Sequence, residues 1–439
     1  MAHRHAAALA QVAKSILTFL PTKYARLRLT GPRQSLLLLL ASIQSGIDRI
    51  GVRSARLEVM KRMDAMLGWS AERMPSTSAC CRALRKLPSS MLESVMAKAH
   101  AAVVKAYGSD LLIHQRRLVA IDGVRINAQR TSVLARWLGL PKTGTTTQAH
   151  QPQALVVVAR CVRTGVVLAQ EVVRHTGSER ACARRLIRRI STMGPLLVVL
   201  DRGFPARDLI GLMVEHRIDF VLRIWGGPAI MKELQGCERA RRVDTSVDIA
   251  MRNAKNRGMT ANLRVIVNQR AKRGRPRCDR TPQRLILLTT LKGQYWSSPR
   301  IIALYHRRWD IETTFREDKR LLGATRSRAT TREGFMNELL ALAIYRILMA
   351  LIAAMVLTSC KAPMWDDPRA KRLTTSQLMV MAWWLVEVAL TKSKNYQAKI
   401  SDLTREIGRD SARKRPGRSY RRICKGAEGV WKIKSGWHH

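Results

Sequence analysis

Leu196-Leu197-Val198-Val199-Leu200-Asp201 is an unbroken apolar run that ends on a carboxylate. A run of that length without alternation suits a strand covered on both faces, in a sheet sandwiched by helices. The next residues, Arg202-Gly203-Phe204, include a glycine that permits a sharp exit from the strand. A second run, Leu118-Val119-Ala120-Ile121-Asp122, also closes on Asp. In open α/β sheets functional groups collect beyond the strand ends, so both carboxylates are expected to meet at one rim. Either Asp taken alone reads rather as a helix cap or a turn residue.

Around these runs the periodicity alternates between strand and helix. Ala154–Ala159 and Val166–Val173 flank Arg163-Thr164-Gly165 and read as a hairpin. Glu179–Ile190 reads as a basic helix, Ala206–His216 as another helix, and Asp219–Arg223 as a further strand. That order implies an α/β fold with a mixed sheet covered by helices. Residues 225–296 hold more β-like material, Leu263–Val267 and Arg284–Leu291, on either side of a basic loop. One long amphipathic helix is expected from Ser298 to about Leu322. Residues 1–115 carry helical spacing broken at Pro21, Gly31-Pro32, Gly68, Pro75 and Pro88. Within them Met60–Leu67 and a helix opened by Pro75, bearing Ser76, Thr77, Ser78, Arg82, Arg85 and Lys86, resemble a helix-turn-helix. The remainder of the chain is helical and then strongly basic.

Leu339–Val356 is long enough to span a bilayer. Arg346 stands in its middle, where a charge costs about 2.5–3.5 kcal/mol on insertion scales, so a buried core helix is the expected state. No membrane partner is expected.

The 439 residues are 46% hydrophobic, enough for a large core, and carry a formal net charge of +48 from 79 basic and 31 acidic residues. Such excess charge repels itself unless a polyanion neutralises it, and nucleic acid is the usual polyanion. A merely basic soluble protein or a membrane-surface binder explains a charge spread along the whole chain less well. A ribosomal-type structural protein does not suit this length and apolar content. The eight cysteines form no Cys-x-x-Cys pair and have no histidine at zinc spacing, so they read as reduced structural thiols of a cytoplasmic protein.

On the expected helix from Ser298, residues Tyr305, Arg308, Glu312, Arg316 and Lys319 share one face. Leu304, Ile311, Phe315 and Leu322 form the apolar stripe beside it. A solvated charged face with local ion pairs is the bland alternative. Three carboxylates, Asp122, Asp201 and Glu312, from two strand ends and one helix, suit a pair of Mg²⁺ ions acting on phosphate, with Mn²⁺ as the substitute ion. The neighbouring cations would hold adjacent phosphates.

The spacing of Tyr305, Arg308, Glu312 and Lys319 resembles the Tyr-Arg-Glu-Lys signature of bacterial insertion-sequence transposases of the insertion-sequence-4 type. Leu304-Tyr305-His306-Arg307-Arg308-Trp309-Asp310-Ile311-Glu312 is similar to that family throughout, and Asp201-Arg202-Gly203-Phe204 resembles its second-Asp motif. Ile121-Asp122-Gly123 resembles the first, with Val124 where many relatives carry a small hydroxyl residue. The resemblance covers about residues 117–350. It implies a ribonuclease-H-like core with a β-rich insertion before the Glu helix, flanked by helical N-terminal and C-terminal regions. The corresponding organisation is a DNA-binding region at 1–115, the core at 116–224, the insertion at 225–296, the core's second part at 297–350 and a basic helical region at 351–439.

The resemblance further implies cut-and-paste transposition with Mg²⁺ on double-stranded DNA. The enzyme would cut at terminal inverted repeats and join the ends to target DNA, as a homodimer in a synaptic complex, in the bacterial cytoplasm at the nucleoid. Asp122, Asp201 and Glu312 would be catalytic metal ligands. Tyr305, Arg308, Lys319 and Arg316 would contact DNA. Some relatives stabilise a flipped base on a tryptophan of the insertion. Trp225 and Trp296 are candidates, against an ordinary core role. Lys272-Arg273-Gly274-Arg275-Pro276-Arg277 resembles an AT-hook, with Arg273 and Arg275 in the minor groove, or is a basic loop touching phosphates. The run Arg413–Arg422 is a phosphate-binding arm or a loose end. Two rivals remain at this level: a nuclease on the same core without strand transfer, and an inactive transposase-derived DNA-binding protein.

Overall fold

The computed structural model describes residues 75–143, 147–148, 151–224, 242–251, 260–269 and 284–359, with short pieces at 39–40, 43, 230, 232–234, 236–237, 258 and from 371 onward. Met60–Leu67, Trp225, the 272–277 loop and most of the Arg413–Arg422 run lie outside the described residues.

The main sheet is mixed and has nine strands. In chain order they are β1 (Leu112–Ile113), β2 (Arg116–Asn127), β3 (Gln153–Cys161), β4 (Val167–Arg174), β5 (Leu196–Leu200), β6 (Asp219–Ile224), β7 (Arg242–Ala250), β8 (Thr260–Gln269) and β9 (Arg284–Thr289). The spatial order is β4-β3-β2-β5-β6-β9-β8-β7, with β1 folded back on β2. Strands β2, β3 and β4 pair antiparallel, whereas β2–β5 and β5–β6 are parallel. Parallel neighbours need a crossover. The helix between β4 and β5, α4 below, and the one between β5 and β6, α5, provide it. A meander followed by two parallel strands is the ribonuclease-H-like arrangement. The strands of 242–289 form no separate sheet: β9 pairs with β6, and β8 and β7 continue outward.

The helices are α1 (Thr77–Lys86), α2 (Ser89–Tyr107), α3 (Ser132–Leu138), α4 (Glu179–Ile190), α5 (Arg207–Glu215), α6 (Ser298–His306), α7 (Trp309–Arg320) and α8 (Arg332–Ser359). Four of them start on hydroxyl caps: Ser76, Thr131, Ser178 and Thr331 each accept a backbone N–H of the first turn.

The alternation of strand side chains divides the interior into two layers. Val119, Ile121, Val157, Val198 and Phe220 pack with Leu186 and Ile187 of α4 and Leu209 and Ile210 of α5. Leu118, Ala120, Val156, Val199 and Leu287 face Tyr305 of α6 with Ile311 and Phe315 of α7. Each fully buried Leu or Ile contributes about 1.5–3 kcal/mol, so both layers hold the sheet in place. The expected buried strand at 196–201 is β5, and its five residues are all buried.

Two expectations need correction. First, β2 does not stop at Asp122 but runs on to Asn127, because β3 keeps pairing with it through Asn127↔Gln153. Only its partnership with β5 ends early, at Ala120↔Val199. Second, the single helix expected from Ser298 is two helices. At the joint Arg307 N–H donates to Leu304 O and Arg308 N–H to Tyr305 O, both at 3.0 Å and three residues back. A tightened turn at three residues per turn brings i and i+3 into line, so Arg308 stands over Tyr305.

Helix α8 includes a stretch, Arg332–Ala354, that is long and apolar enough to cross a membrane by length and composition. The protein itself buries 89% of its most apolar window. Tyr107 of α2 donates to Ala350 O at 2.9 Å, tying α2 to this helix. Among the described residues near the C-terminus, Lys371–Arg372 pairs with Ala412–Arg413, and Ile423–Lys425 with Trp431–Ile433.

Candidate active site

The parallel register brings the strands that carry the two distant aspartates side by side. Ala120 pairs with Val199, the last pair of β2 with β5, and Asp122 and Asp201 each stand two residues beyond it, Asp201 just past the end of β5. Asp122 shares the face of Ala120, towards α6 and α7. There Ile311 and Phe315 bury the apolar stripe of α7, which turns Glu312 towards the same rim.

Arg308 links these carboxylates. Its guanidinium donates to Glu312 Oε1 at 2.8 Å and lies 3.9 Å from Asp201 Oδ2. The Tyr305 hydroxyl donates to Asp201 Oδ1 at 3.1 Å. Arg308 itself is only 4% exposed, while the side chains of Asp201 and Glu312 remain about a third open, at 30% and 34%. Burial works against the charge on Arg308. Asp201, Tyr305 and Glu312 outweigh it and raise its pKa.

Asp122 sits in the field of the same groups. Burial pushes its carboxyl up to about 6. The Gly123 N–H at 2.8 Å and the Arg308 charge oppose that rise, whereas Glu179 and Glu312 add to it. Glu179 opens α4 on the other side of the sheet, lying against Gly123: a Cβ there would come within 2.6 Å of Glu179 Oε1. Burial also raises the Tyr305 phenol, with Asp201 adding to the rise.

The site residues expected from the sequence are therefore distributed as follows. Asp201, Glu312, Tyr305 and Arg308 are in contact, directly or through Arg308, and Asp122 is within their electrostatic reach. Arg316 and Lys319 are exposed further along α7. Trp296 is buried at 3%, in the layer beneath α6, which is a core position. Arg273, Arg275 and Trp225 fall outside the described residues. Among the described residues, no three His, Cys, Asp or Glu side chains are arranged to hold a metal ion as they stand. The donor set nonetheless fits a hard cation. It offers only carboxylate oxygens, and a guanidinium already supplies positive charge to two of the three.

Residues 113–348, more than half of the chain, match the model of the Transposase DDE domain family. The chain belongs to the DDE transposase family. No curated protein matches it. A DDE transposase acts enzymatically on DNA and generally uses divalent metal ions, and the excess positive charge of this one suits such a substrate.

Two features of the transposase were missed in the sequence. One is Glu179, a carboxylate facing Asp122 from the opposite layer; the only sign was an acid opening an otherwise basic helix. The other is a buried ionic group behind α7. Asp318 accepts from Arg160 Nη2 at 2.6 Å and from Arg346 Nε at 2.7 Å, and its side chain is 4% exposed. The lone arginine of an apolar helix was its visible trace.

Proposed function

We propose that this protein is a cut-and-paste DNA transposase of the insertion-sequence-4 type, with Asp122, Asp201 and Glu312 as its metal-holding catalytic carboxylates. The observation that carries this reading is the contact of Tyr305 and Arg308 with Asp201, and of Arg308 with Glu312. Two of the four signature residues thus meet an Asp more than a hundred residues away in the chain, and a third, Glu312, joins them through Arg308.

When bound, a pair of Mg²⁺ ions supplies charge stabilisation to the attacking and leaving oxygens of phosphoryl transfer. The chain's own residues do the rest. Asp122, Asp201 and Glu312 would hold the ions through their carboxylate oxygens. Arg308 beside them has five N–H donors whose fork matches a phosphate. Arg316 and Lys319, exposed along α7, track the backbone of the transposon end, and Tyr305 holds Asp201 in place. Arg273 and Arg275 add sequence-independent phosphate or minor-groove contacts. Two DNA ends call for two active sites, hence a homodimer in the synaptic complex.

The test uses DNA bearing the inverted repeats that flank the coding region. Wild type is expected to cleave it with Mg²⁺ and to join pre-cut ends to a target plasmid. Asp201→Asn and Glu312→Gln should bind the DNA yet neither cut nor join it. Cleavage without joining would make the protein a nuclease, and undiminished cutting by both variants would remove the site assignment.

A further inference from the structure

We propose that Asp318, clamped between Arg160 and Arg346, is the positioning residue that sets the rotation and axial height of α7 and so places Glu312. The proposal rests on the reading of Glu312 as a metal-holding carboxylate.

The clamp grips one helix from two sides. Arg160 comes from β3, level with Ala120, and reaches Asp318 Oδ2 at 2.6 Å. Its guanidinium also lies 5.1 Å from the ring centre of Phe315, and it donates to Gly165 O at 3.2 Å. Arg346 comes from α8 and meets Asp318 Oδ1. It also donates to the backbone carbonyl of Thr314 at 3.3 Å and lies 3.6 Å from Glu317 Oε2. Of the five consecutive residues 314–318 of α7, all but Arg316 are thereby held: Thr314, Phe315, Glu317 and Asp318. Glu312 is two residues before the first of them. Beyond α7 the chain is fixed again, where Asn127 N–H donates to Thr325 O at 3.1 Å and Ser327 N–H to Asn127 O at 2.8 Å.

Stability alone does not call for this arrangement. Burying two guanidinium groups and a carboxylate costs several kcal/mol of desolvation per ion, and apolar replacements of similar volume are often neutral or stabilising. An apolar contact has no direction and would let α7 slide or roll. A charge-assisted hydrogen bond from a guanidinium to a carboxylate has a defined geometry, and two guanidiniums, one on each oxygen of one carboxylate, leave the helix little freedom. Glu312 needs that restraint. Its side chain is a third exposed, and a displacement of about 1 Å at a reacting centre can lower a rate about a hundredfold.

The experiment compares wild type with an apolar triple variant, Arg160→Met/Asp318→Leu/Arg346→Met, and with Arg346→Lys. Arg346→Lys keeps the charge but loses the fork. Three quantities are read: melting temperature without metal, the Mg²⁺-induced rise in melting temperature, and the Mg²⁺ dependence of cleavage of inverted-repeat DNA. Glu312→Gln serves as control.

The triple variant should melt near wild type without metal and bind DNA equally well. It should need about tenfold more Mg²⁺ for half-maximal cleavage, and its maximal rate should fall about tenfold or more. Arg346→Lys should show the same shift in smaller measure. If the triple variant fails to fold, Arg346→Lys decides alone, and wild-type Mg²⁺ dependence in it overturns the proposal. A folded triple variant with wild-type Mg²⁺ response and rate overturns it as well. If wild type shows no Mg²⁺-induced rise, or Glu312→Gln keeps it, the metal reading of Glu312 fails first, and the positioning role falls with it.

Discussion

Arg308 donates to Glu312 Oε1 at 2.8 Å, one helical turn away, and the same guanidinium lies 3.9 Å from Asp201. A buried cation therefore occupies the space that two of the three carboxylates share. On the proposed reading, metal and guanidinium compete for the same oxygens. In Arg308→Gln the competitor is gone, so the DNA-free protein is expected to bind Mg²⁺ several-fold more tightly, read as a larger Mg²⁺-induced rise in melting temperature. Affinity for inverted-repeat DNA should fall in the same variant, since the phosphate donor is lost. An unchanged or smaller Mg²⁺ response would refute this competition.

Tyr305 is 1% exposed and holds Asp201 through its hydroxyl. Tyr305→Phe keeps the ring and removes one hydrogen bond, so it should cost about 0.5–1.5 kcal/mol in urea unfolding. Tyr305→Ala empties a packed position and should cost about 3–5 kcal/mol, as large aromatic truncations do. Equal losses for the two would mean that the ring contributes nothing.

The carboxyl of Asp122 is raised from its ordinary 3.8 to about 6, chiefly by burial. Its folded pKa lies above the unfolded one. Without metal, its contribution to stability is therefore complete below about pH 3.8 and is lost as pH rises through 6. Metal ligation requires the ionised form, so Mg²⁺ affinity should fall as pH drops through about 6. Mg²⁺-dependent melting between pH 5 and 8 measures this, and Asp122→Asn should flatten the profile. A wild-type profile already flat across pH 6 would contradict the assignment.

Glu338 lies in α8 behind the site, 9% exposed, and accepts the Arg328 N–H at 3.2 Å. Burial carries its carboxyl from 4.5 up to about 7 against the hydrogen bonds it receives. The sign is again that of a raised pKa: its stabilisation is present below 4.5 and is lost as pH climbs through about 7. Glu338→Gln should remove that slope, since the amide oxygen still accepts the loop N–H groups. Urea midpoints at pH 4.5, 6 and 7.5 give the comparison, and parallel slopes for the two proteins would exclude the effect.

Much of this architecture was legible because each β-strand run carries a local signal. Leu196–Leu200 announced a strand buried on both sides, and the basic run Glu179–Ile190 announced α4. The signature from Tyr305 to Lys319 identified the candidate carboxylate on α7 because all its members lie within four turns of chain. The end of β2 was not legible. Its length is decided by pairing with β3, which continues where the apolar run stops. Nor was the joint between α6 and α7, where two backbone hydrogen bonds tighten without any Gly or Pro to mark the place.

By itself, the amino-acid order determined the alternation of elements, the faces they bury and the kinds of side chain that gather near Asp201. Those follow from interactions between residues a few positions apart and from the burial of apolar surface, which has no direction. Only the tertiary structure decided that Arg308 stands on two carboxylates, that β2 pairs with β5 up to Ala120↔Val199, and that Arg160 and Arg346 close on Asp318. Ion pairs and strand register join residues that are remote along the chain, and short-range patterning carries no record of which partners will meet.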